Sequence, residues 1–199
     1  MTTDAPTQAP ARTRRFSTTD LALIAAFGAL VAVCSYLAAI PVGGAGVPIT
    51  LQTLAVLLTG LVLGPARGFL AVCLYLVLGL VGLPVFAEHS SGAGVFNGPT
   101  AGYLYTFPIA AAVAGFLLAY VARGQRTRAL FALGAALVAT VVNHLGGIVG
   151  LHAVLGVTWH KAATIDAAYW VGDIVKAAIA AIVAAEVHRA FPALLGRRG

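Results

Sequence analysis

Gly92-Ala93-Gly94-Val95-Phe96-Asn97-Gly98-Pro99-Thr100-Ala101-Gly102-Tyr103 separates two strongly apolar runs, residues 69–84 and 104–121. Four glycines and a proline are poor material for a helix interior. The stretch also carries no charge, unlike an ordinary solvated loop. An amide (Asn97), a hydroxyl (Thr100) and two aromatic rings (Phe96, Tyr103) sit among residues that allow close approach of backbone or ligand. It reads either as the lid or wall of a site, or as a plain turn between two membrane spans. Both readings require that the apolar runs on either side cross a bilayer, and that sets the fold class.

The composition agrees. The chain has 199 residues, 60% of them hydrophobic and 9% charged, with a mean hydropathy of +0.96. Soluble domains carry about 25% charged residues, and a water-soluble core has no use for this much apolar surface. About 20 apolar residues cross a bilayer as a helix, and runs of that order fit this chain about six times. The runs lack the alternation of barrel strands. The expected fold is therefore an all-α integral membrane protein of six transmembrane helices, a multi-pass protein of the cell (plasma) membrane. Cys34 and Cys73 both fall in apolar runs and read as packing residues, not as a disulfide.

Residues 1–19 form a polar tail, expected to be disordered. A membrane domain spans 20–190 and a short tail 191–199. Span one covers about 21–40, with Thr19 or Asp20 near its N-cap and a stripe of small residues, Ala22, Ala25, Ala26 and Ala29. Small residues at such spacing let helices approach closely in lipid. A Gly-rich loop occupies 41–48. Span two (49–63) has Gln52 in its first turns, and Gly64 to Gly68 reads as a tight turn. Span three covers 69–83, span four 101–121 with Pro108 inside it, and span five 129–151 with Asn143 and His144. An interfacial connection, 156–164, precedes span six, which starts between 165 and 172 and ends near Glu186.

Ten of the twelve Lys and Arg residues fall at the N-terminus, at Arg67, in the 123–128 loop and at the C-terminus. The opposite loops hold only Lys161, and Lys176 lies within a span. The positive-inside rule then predicts cytoplasmic termini and an even number of spans. The same distribution accounts for the net charge of +6 without nucleic acid as a partner.

Few polar groups lie at membrane depth. Asp173 and Lys176, three residues apart, share a helix face. Charged groups in spans face cavities or one another, so the pair reads either as self-neutralising scaffold or as an acceptor and a cation offered to a ligand. Asn143, His144 and Gln52 read more simply as interhelical hydrogen-bonding residues, although Gln52 lies beside the outer loop. Tyr169 and Trp170 are interfacial anchors or pocket wall. The sequence has no P-loop, no H-E-x-x-H and no G-x-S-x-G, so ATP hydrolysis, zinc protease and serine hydrolase chemistry find no support.

Five short motifs occur in order: Val47-Pro48-Ile49-Thr50-Leu51-Gln52-Thr53; Leu63-Gly64-Pro65 with Arg67-Gly68; Gly82-Leu83-Pro84-Val85-Phe86; Gly98-Pro99-Thr100-Ala101-Gly102-Tyr103; and Gly172-Asp173 with Lys176. Together they resemble the BioY family, the substrate-binding (S) components of energy-coupling factor (ECF) biotin transporters. Two departures stand out: Ala101 replaces the usual glycine in the fourth place of G-P-T-G-G, and Tyr169-Trp170-Val171 stands where a proline often precedes Gly-Asp. The resemblance implies a six-helix bundle with both termini cytoplasmic and an outward pocket closed by loops. It implies docking of the first helix, here through Ala22, Ala25, Ala26 and Ala29, on a transmembrane coupling subunit powered by ATPase subunits. No cofactor is expected on this chain, since ATP would be used by those partners.

Biotin offers a ureido ring with two N–H donors and a carbonyl, an apolar sulfur ring and a carboxylate tail. Asp173, Lys176, Asn97, Gln52, Thr100, Tyr103, Phe96 and Trp170 supply the matching chemistry. Lys176 is expected to hold the carboxylate and Asp173 to accept from the ureido N–H groups. Two alternatives stand beside this reading: an intramembrane enzyme on a lipid or acyl substrate, using His144 and Asp173 as base and acid, and an S component for another vitamin.

Overall fold

The computed structural model describes residues 16–37, 39–41, 44–122 and 127–191. Most of the polar N-terminal tail, the 123–126 part of the basic loop and residues 192–199 lie outside them. The described chain is a bundle of helices with one small hairpin: α1 (Thr18–Leu37), β1 (Ala39–Pro41), β2 (Pro48–Thr50), α2 (Gln52–Leu63), α3 (Pro65–Leu80), α4 (Ala101–Phe116, continued by a π-turn at Leu117–Val121), α5 (Ala129–Leu155), α6 (Trp159–Asp166) and α7 (Trp170–Ala190). Short 3-10 turns occur at Ala87–His89 and Ala93–Asn97.

Among the described residues, three helical segments are long and apolar enough to cross a membrane: Thr18–Leu37, Ala101–Val121 and Ala129–Leu155. α2 and α3 are apolar but shorter, with 12 and 16 residues. At 1.5 Å per residue α2 is about 18 Å long, well under the roughly 30 Å hydrocarbon core. The chain just before it is the β1–β2 hairpin, and the two together border a cavity at the N-terminus of α2. The sequence reading gave residues 41–48 as plain loop. Their ends pair instead as antiparallel strands, with Ile40 opposite Ile49 and Pro41 opposite Pro48.

Other boundaries moved for identifiable reasons. The N-cap of α1 is Ser17, two or three residues earlier than expected. Ser17 Oγ accepts from the Asp20 amide (3.2 Å) and the Asp20 carboxylate accepts from the Ser17 amide (2.9 Å), a reciprocal capping box. The expected tail boundary at residue 19 thus falls inside the helix. Gly64 to Gly68 is not a five-residue turn. Gly64 alone turns the chain at φ 77°, and Pro65 opens α3 at its first position, where a missing N–H costs nothing. The expected connection at 156–164 contains α6, capped by Thr158, whose Oγ1 accepts from the Lys161 amide at 3.3 Å. The last quarter of the Gly-rich stretch is α-helical as well: α4 begins at Ala101 and takes in Gly102 and Tyr103.

Gly102 is inside a helix because α5 comes too close for anything larger. A Cβ there would lie 2.2 Å from the carbonyl oxygen of Gly146. On α5, Gly147 leaves the space that the Tyr103 ring fills. At the other end of the bundle Arg67 Nε lies 3.2 Å from Asp20 Oδ1, which joins the start of α3 to the start of α1. Ala22, Ala25, Ala26 and Ala29 are exposed on α1, while Ile24, Gly28, Val31 and Ser35 face the bundle.

Candidate functional site

A polar-walled cavity lies where the hairpin, α2, α4 and α7 meet. The hairpin supplies Val47 and Thr50, α2 supplies Gln52 and Thr53, and α4 supplies Tyr103, Leu104 and Phe107 with Thr100 just before it. Phe86 and Glu88 come from the segment after α3, Tyr169 from the turn before α7, and Asp173 and Lys176 from α7 itself. The mixed apolar and polar lining suits a site for a small organic molecule.

The charged wall is compact. Lys176 Nζ donates to Asp173 Oδ1 at 2.7 Å, and Thr53 Oγ1 donates to the same oxygen at 2.8 Å. Asp173 is 5% exposed. His144 Nε2 stands 3.3 Å from Asp173 Oδ2, at ion-pair distance but off hydrogen-bond alignment. Behind it the buried Asp166 accepts from His144 Nδ1 (2.8 Å), Tyr103 Oη (2.7 Å) and Trp170 Nε1 (2.9 Å). An acceptor and a cation are thus side by side in a wall otherwise dominated by rings and aliphatic groups. The two touch, so they form a single charged spot on that wall.

Of the eight expected binding residues, five line the cavity: Gln52, Thr100, Tyr103, Asp173 and Lys176. Gln52 is heavily committed. Its Nε2 donates to Ser35 Oγ (2.7 Å) and Tyr75 Oη (2.6 Å), and its Oε1 accepts from Thr50 Oγ1 (3.0 Å). That network ties α1, α2 and α3 together beneath the hairpin. The other three stand outside the wall. Phe96 meets Phe86 edge-on, Trp170 stacks on His144 with centroids 4.2 Å apart, and Asn97 is exposed with only a 3.5 Å contact to the Ala93 carbonyl.

Sequence reasoning missed Asp166, Tyr75 and Glu88. Asp166 had a visible signal: a carboxylate seven residues before Asp173 in a weakly charged chain. It was hidden by the uncertain start of the last helix, since residues 167–169 form the turn between α6 and α7.

The fold and site define a helical membrane protein built to hold one small polar-headed molecule. The chain belongs to the BioY family, whose model matches residues 7–193. It is 37% identical over 185 residues to the biotin transporter BioY of Rhizobium etli, covering 91% of this chain and 99% of that one. It is 38% identical over 191 residues to the biotin transporter BioY of Rhodobacter capsulatus, covering 90% and 98%. Its fold matches the crystal structure of an S-component for biotin from an ECF-type ABC transporter, with a TM-score of 0.81 and 25% identity over 86% of this chain and 91% of that one. The named relatives are transporters, so the chain stands with transport proteins and the intramembrane-enzyme alternative is set aside.

Proposed function

We propose that this chain is the biotin-binding subunit of a biotin uptake system in the plasma membrane. It spans the membrane six times with both termini in the cytoplasm, and works with an ECF transmembrane coupling subunit and ATPase subunits. ATP is used by those partners and this chain carries no cofactor. The observation that carries the ligand assignment is the cavity whose charged wall is the Asp173–Lys176 pair. A ureido group presents an N–H donor beside a carbonyl acceptor, and this pair presents an acceptor beside a cationic donor. Thr100 supplies a hydroxyl beside it, Gln52 and Tyr103 complete the wall, and Phe107 and Leu104 supply apolar surface for the sulfur ring.

Titration of the detergent-solubilised protein with biotin tests the proposal. The expected result is saturation at one biotin per chain, unmoved by an excess of other vitamins. Displacement of biotin by a different vitamin at equal concentration would overturn the ligand assignment.

A further inference from the structure

The ligand reading leaves two ionisable residues behind the cavity wall without a role. Asp166 is the last residue of α6 and is fully buried. A carboxylate at a helix C-terminus faces the negative end of the helix dipole, so the place itself disfavours it. Three neighbours retain it: Tyr103 Oη at 2.7 Å, Trp170 Nε1 at 2.9 Å, and His144 Nδ1 at 2.8 and 2.9 Å from its two oxygens. They come from α4, α7 and α5, so Asp166 joins three helices around one carboxylate.

His144 is 1% exposed and held flat against Trp170. One ring nitrogen faces Asp166 and the other lies 3.3 Å from Asp173 Oδ2. A neutral imidazole has one N–H and one lone pair. Between two carboxylates, a neutral ring would point its lone pair at an anion. The doubly protonated ring donates to Asp166, sets a positive Nε2–H beside Asp173 Oδ2 and, with Lys176, balances Asp166 and Asp173 charge for charge. On Asp173 itself, Oδ1 already accepts from Lys176 and Thr53, whereas Oδ2 faces only the misaligned Nε2 of this ring.

We infer that His144 and Asp166 are positioning residues: Asp166 holds a His144 imidazolium, which fixes the Asp173 carboxylate so that Oδ2 is presented to an N–H donor of the ligand. The inference rests on the reading that Asp173 accepts from the ureido group. It makes the preference for a ureido ring depend on two side chains that never touch the ligand.

The test compares affinity for biotin with affinity for its cyclic carbonate analogue, in which oxygen replaces both ureido N–H groups without change of size. The wild-type chain is expected to prefer biotin by about ten- to a hundredfold, the worth of one charge-assisted hydrogen bond. His144→Gln and Asp166→Asn are each expected to bring that ratio close to one, because the acceptor is no longer held in place. If the wild type discriminates and both variants keep the full ratio while losing only thermal stability, the two residues are scaffold and the inference is overturned. A wild-type ratio near one removes Asp173 as the ureido acceptor and the inference with it. Should His144→Gln fail to fold, Asp166→Asn decides alone, since it preserves side-chain volume and one acceptor.

Discussion

Tyr169 donates its hydroxyl to the backbone carbonyl of Val47 at 2.9 Å, bridging 122 positions of sequence. Val47 belongs to the hairpin connection over the cavity, and Tyr169 to the turn that starts α7. The bond therefore fastens the cover of the cavity to the helix that carries its charged wall. Both residues also line that cavity.

Removing that hydroxyl should loosen the cover and leave the bundle intact. A neutral hydrogen bond is worth about 1 kcal/mol net, so Tyr169→Phe is expected to speed biotin dissociation by about fivefold with little change in melting temperature. Stopped-flow displacement with unlabelled biotin reads the rate. An unchanged dissociation rate would mean that the cover is held by packing alone.

Gly102 makes a stability prediction with an internal control. Its Cβ would enter the α5 backbone at 2.2 Å from the Gly146 oxygen and 2.8 Å from Gly150 Cα. Overpacking of this kind costs about 1–3 kcal/mol, and backbone cannot step aside as a side chain can. Gly102→Ala is expected to lower the melting temperature, whereas Gly94→Ala, with nothing within 4 Å, should not. Equal melting temperatures for the two variants would show that α4 and α5 can separate without penalty.

Much of this architecture was legible in the sequence, because bilayer thickness and the apolar runs constrain helix positions strongly. What escaped was local. Pro65 reads as a breaker in isolation, yet at the first position of a helix it is a starter, so α3 began four residues early. The paired ends of 41–48 gave no alternating pattern long enough to register as strands. At the site, Asp173 and Lys176 could be found because charge is conspicuous in a span, and their i, i+3 spacing put them on one face. That they touch depends on side-chain conformation, which spacing does not determine. Asp166 and His144 come together from α6 and α5 across 22 positions, a relation that only the fold creates. Asn97 looked like a binding amide because it was the one amide in a Gly-rich stretch, and it lies exposed beyond the cavity wall.

The topology proposal has its own test. The proposal, argued from the excess of Lys and Arg on alternate loops, puts Arg67 and the 123–128 loop inside, and the Arg67–Asp20 contact sets the start of α1 at the same end as Arg67. Single cysteines at Ser91 and Thr127 in a Cys-free background are expected to react with an impermeant maleimide from opposite faces of sealed vesicles. Reaction of both from one face would sink the six-span arrangement.

The exposed alanines of α1 give a separation of binding from transport. Ala22, Ala25, Ala26 and Ala29 all point away from the bundle, so bulk added there disturbs nothing within the chain. Close helix contact in lipid needs small side chains. Ala25→Trp and Ala29→Trp are expected to bind biotin as the wild type does and to abolish uptake in cells that carry the partner subunits. Wild-type uptake by both variants would remove this face as the docking surface.

The last prediction concerns which end of biotin meets Asp173 and Lys176. The two are joined at 2.7 Å, so removing Asp173 leaves Lys176 unpaired in an apolar setting, removing Lys176 takes one cation from Asp173, and either takes a bond from the ligand. Lys176→Met and Asp173→Asn are each expected to weaken binding by about ten- to a hundredfold. Their effects should be strongly non-additive, as for any contacting pair. If both face the ureido group, each variant weakens biotin and its methyl ester alike. The tail then extends past Tyr169 toward Lys161, which lines a neighbouring cavity that Tyr169 also borders, and Lys161→Ala should reduce the preference for acid over ester. Affinities for acid and ester in these variants decide the orientation. Loss of the acid preference in Lys176→Met, with Lys161→Ala unchanged, would turn the ligand end for end and give Lys176 the carboxylate. Full recovery of affinity and stability in the Asp173→Asn, Lys176→Met double variant would leave the pair as scaffold.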